Sequence, residues 1–150
     1  MLFRAGVALA ATTMLLAGCG GEDAPKVPAG YASLGSVDGV PVYGRVSKDG
    51  FTVDVRLVDD ELGCDGSAPL IDGLLLTEVC NTQTPDTYAY AAALPKNAQT
   101  PKLCDARSGA PATGKRLAGP KDWKFDLLVA VGREPTFVMP CPGENILRRK

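Results

Sequence analysis

The chain has 150 residues, 16 of them basic and 17 acidic, with no histidine and a formal net charge of −1. So even a balance argues against nucleic acid as a partner, since that needs a strongly basic face, and against capture of acidic polymers by the whole surface. The missing histidine removes Ser-His-Asp and Cys-His catalysis, the commonest general base near neutral pH, and the imidazole ligands of most catalytic zinc and copper sites.

Met1-Leu2-Phe3-Arg4 puts one positive charge ahead of Ala5 to Ala17, a run with no charged residue, broken only by Gly6, Thr12 and Thr13. About 13 residues are too few for a spanning helix, which needs about 20. They suit a cleavable export signal. The run closes on Leu16-Ala17-Gly18-Cys19: a branched aliphatic, two small residues and a cysteine. This resembles the lipobox of bacterial lipoproteins. The resemblance implies cleavage between Gly18 and Cys19 and lipid on the Cys19 sulfur. It implies a diacylglyceryl thioether, often with a further N-acyl chain such as palmitate, and the membrane as a partner. More than one hydrocarbon chain is what stable anchoring requires. Gly20 follows the cysteine where an Asp commonly marks inner-membrane retention. The implied place is therefore the cell envelope: the outer membrane if the organism has one, otherwise the outer face of the cell membrane. An ordinary signal peptide cleaved beside a cysteine is the alternative. The resemblance covers residues 1–19 alone.

The expected organisation is a signal peptide over 1–18, a lipidated flexible tether over 19–30, and one β-rich domain over 31–150. Removing the signal leaves 132 residues with 15 basic and 17 acidic side chains, enough for a single domain. Gly20 to Gly30 is rich in Gly and Pro and carries Glu22, Asp23 and Lys26, too little apolar surface to order itself. Fully extended it spans about 36–40 Å.

From Val40 the pattern turns to strands. Val40 to Val46 is a short run, and Ser47-Lys48-Asp49-Gly50 is a turn in which Gly50 can take a positive φ. Phe51 to Val58 alternates, with Phe51, Val53, Val55 and Leu57 on one face and Thr52, Asp54 and Arg56 on the other. Such alternation predicts an antiparallel strand with one wet face. Asp59 to Pro69 reads as a loop holding Cys64, Leu74 to Val79 as a strand, and Asn81 to Asp86 as a turn. Thr87 to Leu94 alternates again, although its alanines also suit a helix. Pro95 to Pro120 reads as one long connection pinned by Cys104. Trp123 to Val131 and Thr136 to Met139 are expected to close the fold as a hairpin turned at Gly132-Arg133-Glu134-Pro135. Short strands, Gly/Pro turns and no strong helical period predict an all-β fold, a small antiparallel sandwich or barrel.

Cys64, Cys80, Cys104 and Cys141 remain after Cys19. In an oxidising compartment an even count reads as two disulfides. Three connectivities are open, and Cys64–Cys80 with Cys104–Cys141 is preferred because each pair brackets a segment able to double back. Separations of 16, 24 and 37 lack the Cys-x₂-Cys pairs of a zinc site or a thioredoxin-type centre, so no metal and no cofactor is expected.

The acidic concentration Asp59, Asp60, Glu61, Asp65 and Asp72 fails as a calcium loop, because counting from Asp59 puts Gly63 at the fifth position and Leu70 at the twelfth. Tyr88 and Tyr90 share a strand face and offer an aromatic platform for a ligand, with core packing as the competing role. Trp123 beside Phe125 has the same ambiguity. The tail Arg148-Arg149-Lys150 reads as solvated. No catalytic residue is marked out. The expected function is a non-enzymatic binding or scaffolding component of an envelope complex, in secretion, motility or surface assembly, with other envelope proteins as partners. Two other classes stand beside it: a small-molecule or glycan-binding module, and a small hydrolase using two carboxylates.

Overall fold

The computed structural model describes residues 26–58, 63–71, 75–81, 87–133 and 137–144. Among them the secondary structure is all-β and antiparallel, as the alternation predicts. The strands are β1 (Ala32–Val37), β2 (Val40–Val46), β3 (Thr52–Val58), β4 (Gly63–Pro69), β5 (Thr77–Asn81), β6 (Thr87–Pro95), β7 (Leu103–Asp105), β8 (Pro111–Ala112), β9 (Gly114–Leu117), β10 (Phe125–Arg133) and β11 (Val138–Pro140). They form a front sheet β1-β2-β3-β4, a central sheet β5-β6-β10-β9 and a small back sheet β11-β7-β8.

Two cores separate these layers. Val42, Val53, Val55, Leu57, Cys64 and Ala68 of the front sheet meet Ala89, Ala91, Leu117, Leu127 and Val129 of the central sheet. On the far side of the central sheet, Tyr90, Ala92, Leu128 and Ala130 meet Leu103 and Val138 of the back sheet. Strands β6 and β10 are thus buried on both faces, which is why Ala89 to Leu94 and Leu127 to Ala130 read as continuous apolar runs. Their nine-residue pairing, from Phe125↔Pro95 to Arg133↔Thr87, is the spine of the molecule. Burial on both sides decides the ambiguity of the Ala-rich segment in favour of a strand.

The front sheet behaves as a one-sided sheet. In β3, Val53, Val55 and Leu57 are buried, while Thr52, Asp54 and Arg56 face outward and are part-exposed. Phe51 departs from the expected inner face. The strand begins at Thr52, and the Phe51 ring, in the preceding turn, is 74% exposed. That turn is closed by the Gly50 N–H donating to the Ser47 carbonyl at 3.0 Å, with Gly50 at φ 74°.

Three further expectations are corrected, and one strand is added. The segment Asp59 to Pro69 is not all loop, since Gly63–Pro69 pairs along the whole of β3. Its glycines, Asp65 and Pro69 hide a strand whose place comes from packing. A β-carbon at Gly66 would lie 1.7 Å from the Val79 carbonyl oxygen, so only glycine lets β5 close against β4. The stretch Pro95 to Pro120 holds β7, β8 and β9. Trp123–Val131 and Thr136–Met139 do not form a hairpin with each other: β10 pairs with β6 and β9, and β11 pairs with β7. Finally, β1 was not foreseen, although Asp38-Gly39 joins it to β2 through a two-residue turn with both φ values positive (51° and 85°), the geometry that Asp-Gly favours.

Cys104 and Cys141 form a disulfide with a Cα–Cα distance of 4.9 Å, tying the chain after β11 to β7. Cys64 is buried and disulfide-bonded. The Cys80 side chain lies outside the described set, as do Cys19, Asp59, Asp60, Glu61, Asp72 and residues 148–150.

Candidate functional site

The outer face of the front sheet carries an ordered array of charge. Cross-strand register sets Arg45 opposite Asp54 and Asp54 opposite Ser67, and the next outward row sets Arg56 opposite Asp65. Opposite charges on neighbouring strands are held in contact by that register. Arg45 donates to Asp54 Oδ2 from Nη2 at 2.9 Å and from Nε at 3.3 Å, and Ser67 Oγ donates to Asp54 Oδ1 at 3.0 Å. Arg56 grips both oxygens of Asp65, through Nε to Oδ1 and through Nη2 to Oδ2 at 3.1 Å. Both guanidiniums are pushed above their already high pKa chiefly by these hydrogen bonds.

Tyr31 completes the array. The Tyr31 N–H donates to the Pro28 carbonyl at 3.1 Å, turning the chain onto the sheet just before β1. Its ring then lies against both cations, 4.6 Å from the Arg45 guanidinium and 5.6 Å from that of Arg56. The negative face of the ring attracts both cations, which holds the three side chains together. Ala29, Tyr31, Arg45, Asp54, Arg56, Asp65, Gly66 and Ser67 line an open groove of about 550 Å³.

The tyrosines singled out from sequence sit elsewhere. Tyr88 and Tyr90 share a face of β6, as expected, but that face is turned to the back core. Tyr90 is only 3% exposed and meets Phe137 edge to face at 6.0 Å. Burial, then the charge of Glu78, raises its phenol pKa above the ordinary value. Tyr88 is half-buried beside the same core. Trp123 and Phe125 stack at 4.7 Å and pack against the front core.

A second arginine–aspartate centre lies in the central sheet, between β9 and the start of β10. Arg116 Nε donates to Asp126 Oδ2 at 2.7 Å, Nη1 to the Ala98 carbonyl at 2.7 Å, and Nη2 to the Pro95 and Lys96 carbonyls at 3.2 and 3.0 Å. Asp126 in turn accepts from the Gly119 N–H at 3.0 Å. This knot fixes the turn after β6 and the approach to β10. Among the described residues, no group of three or more His, Cys, Asp or Glu side chains is placed to hold a metal ion.

The groove was partly legible. Asp54 and Arg56 stand on the wet face that alternation assigns to them. Their partners were not found, because β4 reads as loop and Tyr31 falls at the tether boundary. Comparison with protein-family profiles, with curated proteins and with solved structures gives no match.

Proposed function

We propose that this protein is a bacterial envelope lipoprotein, anchored through lipid on Cys19, whose β domain is a non-enzymatic binding or scaffolding component of an envelope complex. The observation that carries the proposal is Leu16-Ala17-Gly18-Cys19 behind an uncharged apolar run. The Cys104–Cys141 disulfide supports it, since such bridges persist in oxidising compartments. Exposed apolar side chains support a scaffolding role: Phe51 and Ile71 at one end of the front sheet, and Phe137 and Met139 about β11. The absence of Asp at position 20 favours the outer membrane where there is one.

The groove beside Tyr31 favours a second reading, a ligand-binding module, and moves its candidate site from Tyr88 and Tyr90 to the front sheet. A two-carboxylate hydrolase is the third. Asp54 and Asp65 do line one groove, but each is engaged by an arginine, an arrangement better suited to recognition than to proton transfer.

The anchor is tested by metabolic labelling with palmitate and by mass spectrometry of the amino-terminal peptide. Label should enter the wild type and be lost in Cys19→Ala; an unmodified chain beginning at Met1 would overturn the proposal. For the scaffold, crosslinking at native expression should capture envelope proteins. Recovery of nothing but free monomer would count against it.

A further inference from the structure

We infer that the groove on the front sheet binds a compact zwitterion, an oxyanion joined to an ammonium group by a short linker, of which the phosphoethanolamine group is the type. Three features lead there. The first is the convergence of two guanidiniums on one tyrosine ring, at 4.6 and 5.6 Å. Each arginine uses Nε and Nη2 on its aspartate, which leaves Nη1 outside the pair. Guanidinium N–H groups fixed in this way are suited to the separate oxygens of a phosphate or carboxylate.

The second feature is the sign pattern. Two arginines and two aspartates line the groove, with like charges set diagonally. The four charges sum to zero, so a pure anion gains no attraction from net charge, whereas a molecule carrying both signs meets a partner for each. The third is accessibility. Asp65 is the more open carboxylate, its side chain 60% exposed against 24% for Asp54, so it is the natural seat for the ammonium group. The oxyanion then lies by Arg45 and Arg56.

Position bears on the source of the ligand. Ala29, near the end of the segment read as the tether, and Tyr31, directly after it, both line the groove. If Cys19 carries lipid, as the proposal above holds, the groove lies within about 40 Å of the bilayer surface and lipid head groups are within reach. A soluble zwitterion presents the same chemistry.

The test uses the full-length ¹⁵N-labelled protein in a maltoside detergent, which has no charged head group, titrated with glycerophosphoethanolamine and separately with glycerophosphoglycerol. Saturable shifts of the Tyr31, Arg45, Arg56 and Asp65 amides with the first, and about tenfold weaker binding of the second, are expected. Arg45→Gln with Arg56→Gln should weaken glycerophosphoethanolamine by about tenfold or more. Asp65→Asn should erase the preference over glycerophosphoglycerol while keeping the oxyanion contact. Equal binding of the two probes, no saturable shift, or a double variant that is folded by its amide spectrum and binds like wild type, would overturn the inference. Both probes are water-soluble, so the result is independent of whether Cys19 is lipidated. Repeating the titration in phosphatidylethanolamine and phosphatidylglycerol vesicles separates the sources: weaker probe binding only in the former means that lipid head groups occupy the groove, and unchanged binding means a soluble ligand.

Discussion

Among the described residues arginine meets aspartate in two regions, with opposite consequences. At Arg116 the side chains are 22% and 13% exposed, and the guanidinium is surrounded by the Asp126 carboxylate and three backbone carbonyls. On the front sheet Arg45 and Arg56 are 45% and 37% exposed, and their contacts are a ring and a carboxylate each. The first arrangement has exchanged water for chain and can only hold the fold. The second retains water and unspent donors, and is free to exchange them for a ligand. The difference lies in what surrounds the ion pair, since the paired groups are the same.

The sharpest way to break this contrast is Arg116→Ala. It would leave Asp126 partly buried without its cation and take the donor from the Lys96 and Ala98 carbonyls, the Pro95 carbonyl keeping the Ala98 N–H, and a loss of about 4 kcal/mol is expected. Chemical denaturation measures it; a loss below about 1 kcal/mol, the range of an exposed pair, would erase the distinction between the two regions.

Next in size is the bridge that secures the back sheet. Replacing Cys104 and Cys141 together with serine opens a loop of 37 residues and should cost about 3.8 kcal/mol. The loss should fall on β7 and β11, with hydrogen exchange quickening there while β2 and β3 stay protected. Peptide mapping without reductant should join Cys104 to Cys141 and, as the second bridge, Cys64 to Cys80.

The front-sheet prediction is defined by its smallness. Arg56→Gln removes an exposed pair and a cation–π contact, and should leave the midpoint of chemical denaturation close to that of wild type. If Arg56→Gln unfolds the protein, the groove is a structural element like Arg116 and the contrast collapses.

How much of this was legible in the sequence follows from burial. Where one face of a strand meets water, as in Val53 to Leu57, period two survives and the strand is found. Where both faces are covered, as in Leu127 to Ala130, the period is lost and only a run of apolar residues remains. Strand β4 was invisible for a different reason. Gly66 is chosen for the absence of a side chain against Val79, so it carries no hydrophobic signal at all. The groove inherits that blindness, because two of its polar side chains, Asp65 and Ser67, stand on β4. The Arg116 knot was equally hidden, since all but Asp126 of the acceptors named for it are backbone carbonyls, and any residue supplies those.

The smallest effect is the one most specific to the back layer. Tyr90 has a raised phenol pKa, caused first by its burial and then by Glu78. A raised pKa means that the unfolded chain ionises first as pH climbs. Its contribution is therefore complete below the ordinary tyrosine value of about 10 and is lost as pH rises through the folded value. Tyrosinate absorbance should show Tyr90 ionising above the ordinary tyrosine value. Its ionisation should coincide with loosening of the back sheet, read by exchange at β7 and β11. Tyr90→Phe should leave stability near wild type at neutral pH and flatten its alkaline decline. A variant with the same alkaline decline as wild type would show that the phenol is not confined by the back core, and that this layer is as open to water as the groove on the front.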